Sequence, residues 1–283
     1  MKVRWLIEKY LFEEYENQLK QLVIDSGNLC TIIDDTNIFF DFNKKIKDKY
    51  TEKECIIFYG SLQLGRQIWE KTNLIPGIFL TIDNYECFKY YGYYGNDLIN
   101  SNYIMLGLND LNRRKNEIFN YFKSDKIFIR PSNGYKSFPG QLLSLKNWDE
   151  DLHLLFSSYS GLDMDQLILI SNYQKIIEEN RFVVINKNDG NHIIGGCKYS
   201  INGELIKDYQ YDKNSYLNAH KFINNYTPDK AFTIDIAKMD NGEYKILEIG
   251  SFCCAGLYNI KLENIVKEIN ELCIYEFNDF YSI

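Results

Sequence analysis

Residues 230–252, KAFTIDIAKMDNGEYKILEIGSF, read as two apolar runs around the turn Asp240-Asn241-Gly242. A turn of this type between apolar runs signals a hairpin, because tight hairpin turns need residues that accept positive φ. Each run carries one carboxylate among apolar neighbours, Asp235 in the first and Glu248 in the second. An unpaired buried carboxylate is costly, so each needs a partner. If the turn pairs the two strands, the carboxylates come near one another across the sheet. Two carboxylates converging on one apolar surface suit a hard divalent cation, and Mg²⁺ is commonly held by one or two carboxylates plus substrate phosphates. The residues alone also allow two edge strands whose carboxylates face water.

Two stretches upstream add cations. KIFIRPSNGYKSFPG, residues 126–140, is a short apolar strand ending at Arg130, then a Ser/Asn/Gly turn that meets Lys136. Two cations flanking a small-residue loop can hold an anion against backbone N–H groups. A chance surface loop has the same look. EENRFVVI, residues 178–185, opens a strand-like run at Arg181, just behind Glu178 and Glu179. Arginine reaches a phosphate bidentately and keeps its charge. A surface ion pair with the neighbouring acids is the alternative.

The alternation of elements gives the organisation. VRWLIEKY reads as a strand, EEYENQLKQLVIDSG as a helix with a glycine stop, and LCTIIDD and CIIFYGSL as buried parallel strands. LQLGRQIWEK reads as a helix, GIFLTID as a strand, and DLNRRKNEIFNYFK as a helix with the apolar face Leu111, Ile118, Phe119 and Phe122. This predicts an open α/β lobe over residues 1–125. From residue 126 onward, KIFIRPS, GQLLSL, QLILISNYQKI, NRFVVINKN and HIIGGCKYSI read as strands, with Asn188-Asp189-Gly190 as a further hairpin turn. WDEDLHLLFSSY, YLNAHKFINNY and LENIVKEINELCIYEFNDFY read as helices. Helices laid on antiparallel strands predict an α+β region over residues 126–283.

The 283 residues, 45% hydrophobic and 25% charged, can bury a sizeable core in one large unit or a few lobes. A net charge of −7 argues against a nucleic-acid partner, which would need a basic footprint. Seven cysteines without paired spacing argue against a disulfide framework or a zinc site. Cys253-Cys254 reads as buried reduced thiols, with a reactive pair as the alternative. No charged-then-apolar leader is visible, and no apolar run approaches the roughly 18 residues of a membrane span. The expectation is a cytoplasmic chain without a membrane partner. His153, His192 and His220 lack metal or triad spacing and read as structural. Lys198 either is solvated or faces a site. Asp34-Asp35 and Gly60-Ser61-Leu62 follow strand-like runs, where open α/β sheets bind ligands, although ordinary turns look the same.

Taken in order, the Arg130 and Lys136 loop, the strand LILIS, the Glu-x-Arg strand opening and the Asp and Glu of the hairpin resemble the ATP-grasp superfamily. IRPSNGYKSFPG, EENRFVV and FTIDIAKMDNGEYKILEIGSFCCAGLY look like its R2K clade, where an arginine stands in place of the usual phosphate-binding lysine. WLIEKYLF, FYGSLQLGRQ and IPGIF are similar to the pattern of R2K family 3. The resemblance implies an ATP-grasp-like fold of class α/β plus α+β. A pre-ATP-grasp-like lobe, 1–125, would precede antiparallel nucleotide-binding lobes, 126–283. It implies ATP and Mg²⁺ as cofactors. Arg130 and Lys136 would bind phosphates under a turn of residues 132–135. The backbone at Ile170, Ser171 and Tyr173 would meet adenine, and Glu179 would also belong to the nucleotide site. Arg181 would be catalytic, near the transferred phosphate or a substrate carboxylate, and Asp235 and Glu248 would hold Mg²⁺. Gly250 departs from the family, which usually has an asparagine there. A backbone group, water, Ser251 or Asn259 would replace it, or one metal is lost. The implied activity is an ATP-dependent carboxylate–amine ligase working through an acyl phosphate, with peptides or proteins among its substrates. The rival is a non-ligating ATP-binding assembly factor, since the clade includes a cell-division-cycle protein that helps assemble a translation initiation factor. A kinase that stops at phosphoryl transfer is a third reading.

Overall fold

Three sheets carry the chain, each set by a different sequence pattern. The computed structural model describes residues 1–9, 11–12, 14–33, 42–159 and 161–282. The first sheet is parallel, in the order β2-β1-β3-β4, from β1 (Val3–Glu8), β2 (Leu29–Ile33), β3 (Cys55–Tyr59) and β4 (Ile75–Gly77). Its central strands β1 and β3 are apolar along most of their length and almost fully buried, as strands covered on both faces must be. Helices α1 (Glu16–Asp25) and α2 (Leu62–Lys71) connect them. The strand expected at GIFLTID is replaced by the shorter β4, slightly upstream. The chain leaves the sheet at Gly77, φ 72°, and runs into a 3-10 turn, Ile82–Tyr85, then α3 (Cys87–Tyr94).

The second sheet is antiparallel, β5-β8-β6-β7, from β5 (Tyr103–Gly107), β6 (Lys126–Pro131), β7 (Gln141–Ser144) and β8 (Leu167–Asn172). Helices α4 (Lys115–Phe122) and α5 (Trp148–Ser158) close one face of it. Leu111, Ile118, Phe119 and Phe122, the apolar face expected of α4, are buried with Ile127, Ile129 and Trp148 in a core of their own. Residues 103–122 therefore build with the second sheet, upstream of the expected boundary at 125/126. The cause is pairing: β5 lies against β8, with Ile104 opposite Ile170.

The third sheet is antiparallel in the order β11-β10-β9-β12-β13, from β9 (Ile176–Lys187), β10 (Gly190–Ile201), β11 (Glu204–Asp208), β12 (Ala231–Met239) and β13 (Tyr244–Ser251). Both expected hairpins are present, β9 with β10 and β12 with β13. Helix α6 (Lys213–Phe222) packs on β12, and α7 (Leu262–Tyr281) joins the first and third sheets. Trp5 on β1 donates its indole N–H to Asn270 on α7 at 2.8 Å in the buried interior. One continuous core runs from the first sheet through α7 into the third.

Candidate functional site

Strands β9, β12 and β13 set Arg181, Asp235 and Glu248 directly opposite one another. Facing positions on neighbouring strands share a side of the sheet, so the three form one row. Arg181 donates through Nε and Nη2 to Asp235 Oδ1 and Oδ2, at 2.8 and 2.6 Å, and through Nη1 to the Gly256 carbonyl at 2.9 Å. The Tyr258 and Tyr199 rings lie 5.0 and 5.4 Å from its guanidinium carbon and stack on one another at 4.6 Å. Arg181 and Asp235 are 8% and 2% exposed. Burial disfavours the Arg181 charge, but the Asp235 carboxylate outweighs it and keeps the guanidinium firmly protonated.

Glu248 stands at the open end of the row, 24% exposed. Lys136 Nζ is 3.0 Å from its Oε1, Arg130 Nη2 is 3.7 Å from its Oε2, and Arg181 Nη2 is 4.0 Å from Oε1. Burial pushes the Glu248 carboxyl up, yet Lys136, Arg130 and Arg181 together hold it at about 2. Arg130 comes from the end of β6 and Lys136 from the loop that follows, so cations from two sheets converge on one carboxylate. Arg130, Lys136, Arg181 and Glu248 line a cavity of about 170 Å³, with Thr233 and Gly250 in its wall.

Of the remaining expected residues, some lie beside this centre and others do not. Glu179 is on the Arg181 face of β9; its Oε2 accepts from the Tyr199 hydroxyl at 2.7 Å and its Oε1 from the Ser200 hydroxyl at 3.1 Å. Burial raises its carboxyl, with Asp235 adding to the effect. Ile170 and Ser171 are not brought to the cavity. They sit inside β8, flanked by β5 and β6, and the Ser171 hydroxyl donates to Asn100 at 2.9 Å. Their backbone groups serve the sheet. Tyr173, 48% exposed, follows the last paired residue. Lys198 bonds Glu178 at 2.8 Å on the opposite face from Arg181, and His192 meets Asp189 beside the β9–β10 turn. Ser61 caps α2 and bonds Glu8, while Leu62 reaches the cavity wall. Asp34 and Asp35 lie outside the described residues. Cys253 is buried and Cys254 lines the cavity, its thiol pushed up to about 12 by burial.

The sequence reading missed Thr233, Gly256, Tyr199 and Tyr258. Thr233 was within reach of it, since period-two alternation puts it on the Asp235 face. It pairs with Gly250, where a Cβ would stand 3.1 Å from Thr233 Oγ1. Of the expected substitutes for the asparagine, Ser251 lines the cavity and donates to the Phe79 carbonyl at 2.6 Å, while Asn259 donates through Nδ2 to the Ile206 carbonyl at 3.3 Å.

Both Asp235 oxygens are taken by Arg181, which leaves Glu248 as the carboxylate of the pair that faces the cavity. Among the described residues no group of three or more His, Cys, Asp or Glu side chains is arranged to hold a metal. A single carboxylate facing the cavity fits a Mg²⁺ carried on substrate phosphates, for which Glu248 would be the ligand. Asp235 accepts from Arg181 on both oxygens and from the Tyr199 hydroxyl on Oδ2 at 3.3 Å, so it would offer the cation less. Among the described residues no helix is long and apolar enough to cross a membrane.

The family model described as ATP-grasp domain, R2K clade family 2, matches residues 111–268, more than half of the chain. Within the clade this is family 2, where the N-terminal motifs pointed to family 3. Among solved structures, D-cycloserine synthetase DcsG superposes with a TM-score of 0.62 at 11% identity, over 96% of this chain and 99% of that one. The D-alanine-D-alanine ligase from Coxiella burnetii gives 0.59 at 10% identity, over 98% and 94%. N5-carboxyaminoimidazole synthetase from Staphylococcus aureus, complexed with ADP, gives 0.58 at 13% identity, over 88% and 69%. At these identities the likeness is one of fold. No curated protein matches the chain in sequence.

Proposed function

Since the chain belongs to the ATP-grasp domain family of the R2K clade, we propose that its cleft binds ATP and joins a carboxylate to an amine. The observation that carries this reading is the convergence of Arg130, Lys136 and Arg181 on Glu248 at one small cavity. Glu248 occupies the place of an anion. The phosphates of ATP take over Lys136 and Arg130 through charge-assisted hydrogen bonds, and Glu248 is released. The freed Glu248 would hold Mg²⁺, which when bound would neutralise charge on the phosphates. Arg181, fixed by Asp235, the Gly256 carbonyl and two tyrosine rings, orients the substrate carboxylate toward the γ-phosphate. A carboxylate oxygen attacks the γ-phosphorus, ADP leaves, and the amine then displaces phosphate from the acyl carbon and sheds a proton. Preorganised cations supply what phosphoryl transfer chiefly needs, which is position and charge stabilisation. Adenine lies beside the segment that begins at Tyr173. The carboxylate and amine are small amino acids, peptides or a protein side chain. All seven cysteines are free thiols, in keeping with a cytoplasmic setting.

The assembly-factor reading has its own support, in the engagement of Asp235 by Arg181 and in Gly250. Isotope transfer separates the two. Carboxylate substrates found by mass spectrometry of lysate components incubated with ATP and Mg²⁺ are remade with oxygen-18. A ligase passes one label to the released phosphate and forms an amide. Unlabelled phosphate during brisk, partner-stimulated hydrolysis establishes the assembly factor instead.

A further inference from the structure

The loop that carries Lys136 belongs to the second sheet, yet it is shaped from the N-terminal lobe. The Arg66 guanidinium on α2 lies over the Tyr135 ring, 4.1 Å from its centroid, and its Nε is steadied by Glu70 at 2.7 Å. Gly134 is pressed on the 3-10 turn, where a Cβ would stand 2.6 Å from the Ile82 carbonyl oxygen. The Cys87 N–H donates to the Ser132 carbonyl at 2.8 Å. From the other side, Gln166 Oε1 accepts from the Ser137 hydroxyl and from Asn133 Nδ2. Between these grips Lys136 has a φ of 50°, left-handed and costly for a side chain with a Cβ. That turn sends its ammonium to Glu248. A strained residue persists only where its surroundings enforce the conformation.

We propose that Arg66 is a positioning residue for Lys136, holding residues 132–138 through Tyr135 in the shape that presents the ammonium to the nucleotide. The role of Lys136 rests on the ATP-binding reading; the grip of Arg66 on the loop does not. Leu62, one helical turn before Arg66, lines the cavity, so the helix at the cavity wall also grips the loop that carries Lys136.

The test compares wild type with Arg66→Ala, Tyr135→Ala, the double variant and Tyr135→Phe. Both residues are at least partly exposed, so these proteins fold. Titration calorimetry measures ATP and adenosine, and hydrogen exchange follows residues 132–138 without ligand. Each alanine variant weakens ATP binding about threefold to fivefold, the size of an exposed cation–π contact. The double variant is no worse than either single one, adenosine binding is unchanged, and Tyr135→Phe behaves as wild type. Loop exchange quickens in Arg66→Ala. Unaltered loop exchange, or additive losses in the double variant, overturns the proposal. If wild type fails to bind ATP while the loop still loosens in Arg66→Ala, the nucleotide reading falls and the grip on the loop stands.

Discussion

Arg181 and Asp235 are nearly sealed from solvent, and each is the other's main partner. Removing Asp235 strands a buried guanidinium, which costs about 3–5 kcal/mol and mixes folding with function. Glu248 is the better probe, because it reaches the cavity and its partners are either half-exposed, as Lys136 is, or at longer range. Glu248→Gln keeps the shape and frees Lys136 and Arg130 from an ion pair. Calorimetry in EDTA should then show ATP binding more tightly than to wild type, while the further gain from Mg²⁺ shrinks. An undiminished Mg²⁺ effect means another group holds the cation. The same variant isolates a pH effect. The Glu248 carboxyl is held at about 2 in the folded chain, below the roughly 4.3 of an unfolded glutamate. A depressed carboxyl stabilises above its unfolded value, and that contribution is lost as pH falls toward the folded one. Thermal melts of wild type should therefore fall more steeply with acid than those of Glu248→Gln, between about pH 4.3 and about 2. Parallel curves would show that the three cations do not stabilise the carboxylate.

At the scale of elements, the site is a matter of register, since a slip of one residue turns every side chain to the other face. Close approach of β10 to β9 helps fix that register. A Cβ at Gly196 would collide with the Phe182 ring and stand 3.0 Å from the Arg181 carbonyl. Gly196→Ala should cost about 1–3 kcal/mol as strands shift to make room, seen as a lower urea midpoint. An unchanged midpoint would mean that the strands yield freely there. The sequence disclosed the two hairpins because their turn residues and apolar runs agree. It disclosed β3 because a buried parallel strand reads as an apolar run, and β1 through its weaker alternation. It did not disclose β5 or β11. β5, YIMLG, is a short apolar run that the reading passed over, whereas β11, ELIKD, is a largely exposed edge strand with no apolar run. For β11 only tertiary pairing makes the strand. The site follows the same division. Charges inside apolar runs announce that Arg181, Asp235 and Glu248 need partners, but not which partner each takes. The bond from Arg181 to Asp235 depends on a register between strands far apart in sequence. Ile170 and Ser171 belong to a run read as a strand, which β8 is, and their expected contact with adenine came from the family resemblance and not from the run itself.

The whole molecule is built on two main cores that meet at the cleft. The first and third sheets share one core through α7, whereas most buried residues of 103–172 pack in a second core around Trp148 and Ile129, with Leu169, Tyr103 and Met105 joining the first. A lobe of about 70 residues buries too little surface to be robust alone. Besides the apolar contacts of Leu169, Tyr103 and Met105, it is tied to the remainder at the cleft by Arg130 and Lys136 on Glu248, Tyr135 under Arg66, and Ser132 against Cys87. Several of these are polar and partly exposed, and so contribute little on their own. The lobe should open as a unit before the molecule unfolds. Hydrogen exchange at rising urea should show amides of β6 and β8 opening at lower free energy than those of β1 and β9. Nucleotide held between the bodies binds only the closed form. At ATP about a hundredfold above its Kd, the opening free energy of β6 and β8 should rise by about 2.7 kcal/mol. Amides of all three sheets exchanging through one common opening without ATP would show a single cooperative body. In that case the convergence of cations on Glu248 would be a fixed feature of the fold, with no lobe motion for the nucleotide to control.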